Sequence, residues 1–128
     1  MTLLLDTCTF LWWCLDDRRL SATVRRSVSE PATNVYLSAS SAWEIAVKHG
    51  LGRLQLPQEP QLFVPEQRRL HGFESLVFDE ASALQVGRLP LLHKDPFDRL
   101  LICQAIEHGM TLVTPDRLIS QYPVRVLW

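Results

Sequence analysis

The sequence predicts an α/β protein built as three layers, a central parallel sheet between two layers of helices. Three observations carry that expectation. The apolar runs that could be strands are short and do not alternate with polar residues, as expected for strands buried on both faces. They alternate along the chain with segments that show helical spacing and helical end signals. Finally, 128 residues with 47% hydrophobic side chains are enough for one packed domain, residues 1–128.

The elements follow in order. Thr2, Leu3, Leu4 and Leu5 form a short apolar run ending at Asp6, which suits a buried strand. A helix runs through Phe10, Leu11, Trp12, Trp13 and Leu15. These large side chains can exceed what one small core buries, leaving some for a partner surface. Ser21 caps a second helix, with Ala22, Val24 and Val28 on one side and arginines near the other; Pro31 and Asn34 break it. Residues 35–37 are a second strand. Serines 38, 40 and 41 offer caps for a helix through Trp43, Ile45, Ala46 and Val47, which Gly50 terminates. After an irregular stretch at 51–57, residues 62–70 form a further helix starting near Pro60. Residues 73–78 are a third strand, and Asp79 begins a helix through Leu84 and Val86.

The stretch from His93 to Ala105 is the clearest helix start. Asp95 can accept hydrogen bonds from the free N–H groups of the first turn. Pro96 suits the first helical position, where its missing N–H costs nothing, and Asp98 lies near the positive end of the helix dipole. Leu100, Leu101, Ile102, Cys103, Ala105 and Ile106 leave little polar face, so the helix body is expected to be buried, and Gly109 closes it. A strand at 111–113 leads to Thr114-Pro115-Asp116, a short helix from Asp116, and a last strand at 124–127.

A net charge of −1 gives no global pull toward nucleic acid, so a polyanionic partner needs a local basic patch, a metal or a second protein. Met1 leads directly into an apolar run without a basic lead-in, and Asp6, Asp16 and Asp17 interrupt it; neither a signal peptide nor a membrane span is expected. Cys8, Cys14 and Cys103 lack C-x-x-C spacing and read as free thiols in a reducing, cytoplasmic setting rather than a zinc site.

Four acids draw attention. In an open parallel sheet, sites form beyond the carboxyl ends of the strands. Asp6 ends the first strand, and Asp116 follows the penultimate one. Glu44 lies about a turn into the helix after the second strand, and Asp98 in the first turn of the central helix. Each has a bland reading. Asp6 and Asp116 can simply cap the helices that follow, with even odds taken alone. Asp95 is assigned mainly to the cap, and Asp98 can complete a capping box, although Asp is short for that role. Glu44 interrupts an apolar helix face, where an acid needs a partner or water. No lysine or arginine is tied by sequence to any of the four. Converging without cations, they repel by several kcal/mol. A divalent ion is the usual relief, and an all-oxygen set suits Mg²⁺ or Mn²⁺ over zinc.

The motifs L-L-L-D-T at 3–7, S-A-W-E-I at 41–45, D-P-F-D-R-L-L-I at 95–102 and T-P-D at 114–116 resemble PIN-domain proteins, in particular VapC-type toxins of bacterial toxin–antitoxin pairs. The resemblance runs over essentially the whole chain, through Trp128. It implies a Mg²⁺-dependent ribonuclease that hydrolyses RNA phosphodiester bonds, with Asp6, Glu44, Asp98 and Asp116 around the metal. It also implies homodimers and a cognate antitoxin that blocks the site. The mechanism expected has Asp6 and Asp98 as direct ligands, with Asp116 and Glu44 through water or on a second ion. Glu44 is the candidate base, and Lys94 and Arg99 are candidate phosphate contacts. Lys48, Arg53 and the scattered histidines, His93 included, read as solvated surface.

Two other enzyme classes fail on spacing. A haloacid-dehalogenase phosphatase needs a second Asp where Cys8 stands, and a response-regulator receiver needs a lysine that Thr114-Pro115-Asp116 does not offer. The alternative from a different class is a PIN fold kept as a non-catalytic RNA- or protein-binding scaffold. Loss of one acid would favour it, and none is lost.

Overall fold

The computed structural model describes all 128 residues. Five strands, β1 (Thr2–Leu5), β2 (Asn34–Ser38), β3 (Glu74–Leu76), β4 (Thr111–Val113) and β5 (Val126–Leu127), form one sheet. Every pairing is parallel, and the order is β3-β2-β1-β4-β5. Six α-helices connect them: α1 (Thr7–Cys14), α2 (Ala22–Ser29), α3 (Ala39–Gly50), α4 (Pro60–Leu70), α5 (Glu80–Gln85) and α6 (Pro96–His108). No helix is long and apolar enough to cross a membrane.

The non-alternating strands have a direct explanation. Successive side chains of a strand point to opposite faces, and both faces of this sheet are covered. Leu3 and Leu5 of β1 join Val35, Leu37 and Val113 in a core completed by Phe10 of α1, Val24 of α2 and Phe63 of α4. Leu4 points the other way, into a core with Leu112 of β4 and Leu101, Ile102 and Ala105 of α6. Leu3, Leu4 and Leu5 are all fully buried. Phe10 is also fully buried; truncating such a side chain to alanine costs about 3–5 kcal/mol.

The helix ends carry the predicted signals. Asp6 caps α1, Ser21 caps α2, Ser38 caps α3 and Asp79 caps α5, each through its side chain. Gly109 ends α6 at φ 66°, a left-handed turn that a Cβ disfavours. Three expectations shrink. The third strand covers only Glu74–Leu76, because it is an edge paired to β2 alone and Asp79 is already turned to cap α5. The last strand is only Val126–Leu127, because β4 offers just three residues to pair with. The helix after Asp116 is a single 3₁₀ turn, Ile119–Gln121, with Pro123 just beyond.

The aromatic run of α1 also finds more cover than its bulk suggests. Leu11, Trp12 and Trp13 pack against the same core as Phe10. Trp12 tilts against Trp128 with ring centroids 5.9 Å apart, and the Arg19 guanidinium lies 4.5 Å over its ring. The exposed aromatic is instead Trp43 on α3, which meets only the edge of Phe97.

The strand order places the site. From β1 the chain steps outward to β2 and β3, then returns through α5 and α6 to β4 on the other side of β1. The connections leave β1 and β4 in opposite directions, and a crevice opens beyond their carboxyl ends.

Candidate active site

All four predicted acids line one cavity of about 330 Å³ at that crevice, with Thr7, Lys48 and Asp95. They arrive on four different elements. Asp6 leaves the end of β1, Asp116 follows β4, Glu44 sits on α3, and Asp98 in the first turn of α6.

The bland reading holds for Asp6, which caps α1, but not for Asp116, since the 3₁₀ turn after it has Leu118 at its N-cap and no side-chain cap; each acid spends one oxygen on a local N–H. Asp6 Oδ1 accepts from the Thr9 N–H at 2.7 Å, capping α1. Asp116 Oδ1 accepts from the Leu118 N–H at 2.9 Å in a local turn. Its Oδ2 instead meets His93 Nε2 at 2.9 Å. Asp95 is the N-cap of α6, accepting from the Phe97 and Asp98 N–H groups at 2.9 and 3.3 Å. Asp98 does not complete a capping box, because the Asp95 N–H donates to His93 Nδ1 at 3.2 Å. Asp98 Oδ2 lies 3.0 Å from His93 Nε2.

Two residues read as surface belong here. Lys48, one turn beyond Glu44 on α3, forms an ion pair with Glu44 Oε2. The other Glu44 oxygen accepts from the Thr7 hydroxyl at 2.7 Å. This buried carboxylate therefore has a cation, contrary to expectation, and it raises the Lys48 pKa through that hydrogen bond. The i,i+4 spacing of Glu and Lys on one helix was the available signal. His93 is the second. Its Nδ1 accepts a backbone N–H, so the proton of the neutral ring sits on Nε2, aimed at Asp98 and Asp116. Nothing local in the sequence marks a histidine two residues before a cap as facing an acid 23 residues later.

Lys94 and Arg99 do not line the cavity. Lys94 is exposed. Arg99 Nη1 donates to the Pro90 carbonyl at 3.0 Å and to the Tyr122 hydroxyl at 3.1 Å. That hydroxyl also accepts the Leu92 and His93 N–H groups, so Arg99 and Tyr122 together brace the loop that carries His93.

The electrostatics favour a cation. Burial raises the Asp6 pKa, against the lowering by hydrogen bonds from Thr114 and Thr9. Burial, then the charges of Asp95 and Asp6, push Asp98 up to about 7, only partly opposed by His93. Asp6, Asp98 and Asp116 pair with no lysine or arginine. Ligand atoms of His93, Asp98 and Asp116 all lie within 4.8 Å of one another. The carboxylate oxygens, short of positive charge, fit a divalent cation of the Mg²⁺ or Mn²⁺ kind, with His93 orienting two of them through its Nε2–H.

The profile of the PIN domain matches residues 3–124. The chain belongs to the PIN-domain family. This PIN-domain chain is 32% identical over 121 residues to "Ribonuclease VapC22" of Mycobacterium tuberculosis, covering 94% of this chain and 92% of that one. Its fold resembles a crystal structure of VapBC2 from Rickettsia felis bound to a promoter DNA fragment, with a TM-score of 0.73 and 16% identity over 99% and 98% of the two chains. It also resembles FitAcB from Neisseria gonorrhoeae, with a TM-score of 0.65 and 21% identity over 98% and 96%. At such identities these structures speak for the fold. The three-layer PIN architecture expected from the sequence is the one observed.

Proposed function

We infer that this PIN-domain chain is a divalent-metal-dependent ribonuclease of the VapC toxin type, hydrolysing phosphodiester bonds in RNA. The observation that carries the reading is the cavity itself: acids from four separate elements, three of them without a lysine or arginine partner, at the switch point of a parallel sheet. The full-length likeness to a protein named as a ribonuclease supports it.

In this proposal Asp6, Asp98 and Asp116 hold Mg²⁺ or Mn²⁺ through oxygens that face the cavity. The bound ion supplies Lewis-acid polarisation of the phosphodiester and a more acidic water. Glu44, paired with Lys48 and fixed by the Thr7 hydroxyl, would position a water beside the phosphodiester. His93 holds the Asp98 and Asp116 carboxylates in place with its Nε2–H. Lys94, exposed on the approach to α6, contacts backbone phosphate. Arg99 contributes by bracing the loop that leads there.

A cognate antitoxin is the proposed protein partner, because the sequence resembles VapC-type toxins and solved structures of similar fold are VapBC complexes. A homodimer in the cytoplasm is proposed with it. The test is cleavage of RNA by the purified protein with Mg²⁺ or Mn²⁺, with excess EDTA, and by Asp98→Asn. Cation-dependent cleavage that disappears in the variant is expected. An inactive wild type with both ions, or a fully active Asp98→Asn, overturns the reading.

A further inference from the structure

A second cavity, of about 280 Å³, lies next to the acid cavity and shares Thr7, Cys8, Glu44 and Lys48 with it. The Glu44–Lys48–Thr7 cluster is thus a common wall. Beyond that wall the lining changes character: Leu11 and Trp12 of α1 and Leu54 close it with apolar surface, and Arg53 joins Lys48 in lining it. Arg53 is exposed and enters none of the protein's ion pairs. We propose that this cavity is a nucleobase subsite, which takes one unpaired base of RNA next to the phosphodiester held over the acids. The proposal rests on the ribonuclease reading above.

Three features select that occupant. A base has apolar faces and is linked to phosphates, so it matches an apolar chamber lined in part by two cations. An aliphatic protein side chain would use the chamber but would desolvate the unpaired Arg53 without compensation. The volume lies at the lower end of small-ligand pockets, suiting one heterocycle rather than a helix face. The location adds a fourth reason. The acid cavity repels a polyanion until a cation is bound, so the substrate needs attachment beside it. Lys48 and Arg53 are basic groups that flank the acids with no phosphate role in the proposed chemistry.

A base held there makes cleavage selective at one position beside the scissile bond. The experiment maps cut sites in a randomised single-stranded RNA pool for the wild type, Arg53→Ala and Leu54→Trp, with Mn²⁺ present, and measures KM and kcat on the preferred sequence. The wild type is expected to prefer particular bases at one position adjoining the cut. Both variants are expected to flatten that preference and raise KM about tenfold, with kcat within about twofold. Arg53→Ala alters an exposed side chain and keeps the test valid should Leu54→Trp fail to fold. Unchanged preference and KM in Arg53→Ala, as expected if the chamber receives a protein side chain instead, overturns the subsite while leaving the nuclease reading intact. So does a loss confined to kcat. A wild type that cleaves no RNA overturns both.

Discussion

Two groups of acids on this chain received opposite treatment. At the end of α1, Asp16 and Asp17 each found an arginine. Asp17 pairs with Arg19 at 2.7 Å, and Asp16 with Arg25 at 2.7 Å. The Arg19 hydrogen bonds hold the Asp17 carboxyl down at about 2. Across the molecule, Asp6 and Asp98 are buried enough to be pushed the other way, Asp98 to about 7, and neither forms an ion pair with an arginine or lysine, the nearby Lys48 being paired with Glu44. The first group is neutralised from within the fold, and its acids are surface structure. The second is left short of positive charge, which has to come from outside. The difference separates an acidic cluster from an acidic site more sharply than a count of carboxylates does.

That contrast can be broken most directly by substitution. Asp6→Asn and Asp98→Asn should each lower RNA cleavage by roughly 10²–10³-fold, the scale of losing one preorganised electrostatic group, while Asp17→Asn stays within about twofold. Comparable losses at both places, measured as single-turnover rates, would erase the distinction. The next largest effect is at His93. His93→Ala should weaken Mn²⁺ binding by about 10–100-fold in calorimetry, as loss of a group that orients ligand carboxylates does. Undiminished affinity would reduce the histidine to a bystander. A smaller effect is thermal. Mn²⁺ at a hundred times its Kd should stabilise the wild type by roughly 2.7 kcal/mol, seen as a melting shift of several degrees that Asp98→Asn lacks and Asp17→Asn keeps. A shift that survives in Asp98→Asn would place the ion elsewhere.

The last effect has a sign that differs between the two groups. The raised Asp98 pKa means that, with chelator present, the folded state keeps a proton the unfolded chain releases near pH 4. Stability of the chelated protein should therefore fall as pH rises from about 4 to about 7. The depressed Asp17 pKa acts in reverse: its contribution is present above about pH 4 and is lost as pH falls toward about 2. Denaturant titrations across pH should show Asp98→Asn removing the first slope and Asp17→Asn the second.

Much of this was readable from residues alone. The sheet was legible because Leu3, Leu4 and Leu5 admit only burial on both faces. The helix starts were legible because Ser21, Asp79 and Asp95 are local signals acting within three residues. Asp6 and Asp116 are legible because strand ends in such a sheet converge, and Glu44 and Asp98 because the helices that carry them begin at the same rim. The parts that escaped depend on packing between distant segments. His93 reaches Asp116 only because Tyr122 and Arg99 brace its loop. Arg99 looked like a phosphate ligand because its charge is visible in the sequence and its engagement with Pro90 is not. The Glu44–Lys48 spacing is visible in the sequence, but the burial of Glu44 that makes the pair matter comes from packing.

The strand order has a consequence of its own. The notch between β1 and β4 is carved by the route of the backbone, since connections departing to opposite sides leave nothing to roof it. Its shape therefore owes little to the acidic side chains that line it. A descendant that exchanged its aspartates for neutral residues would keep an empty socket of the same outline, free to be adopted by another guest.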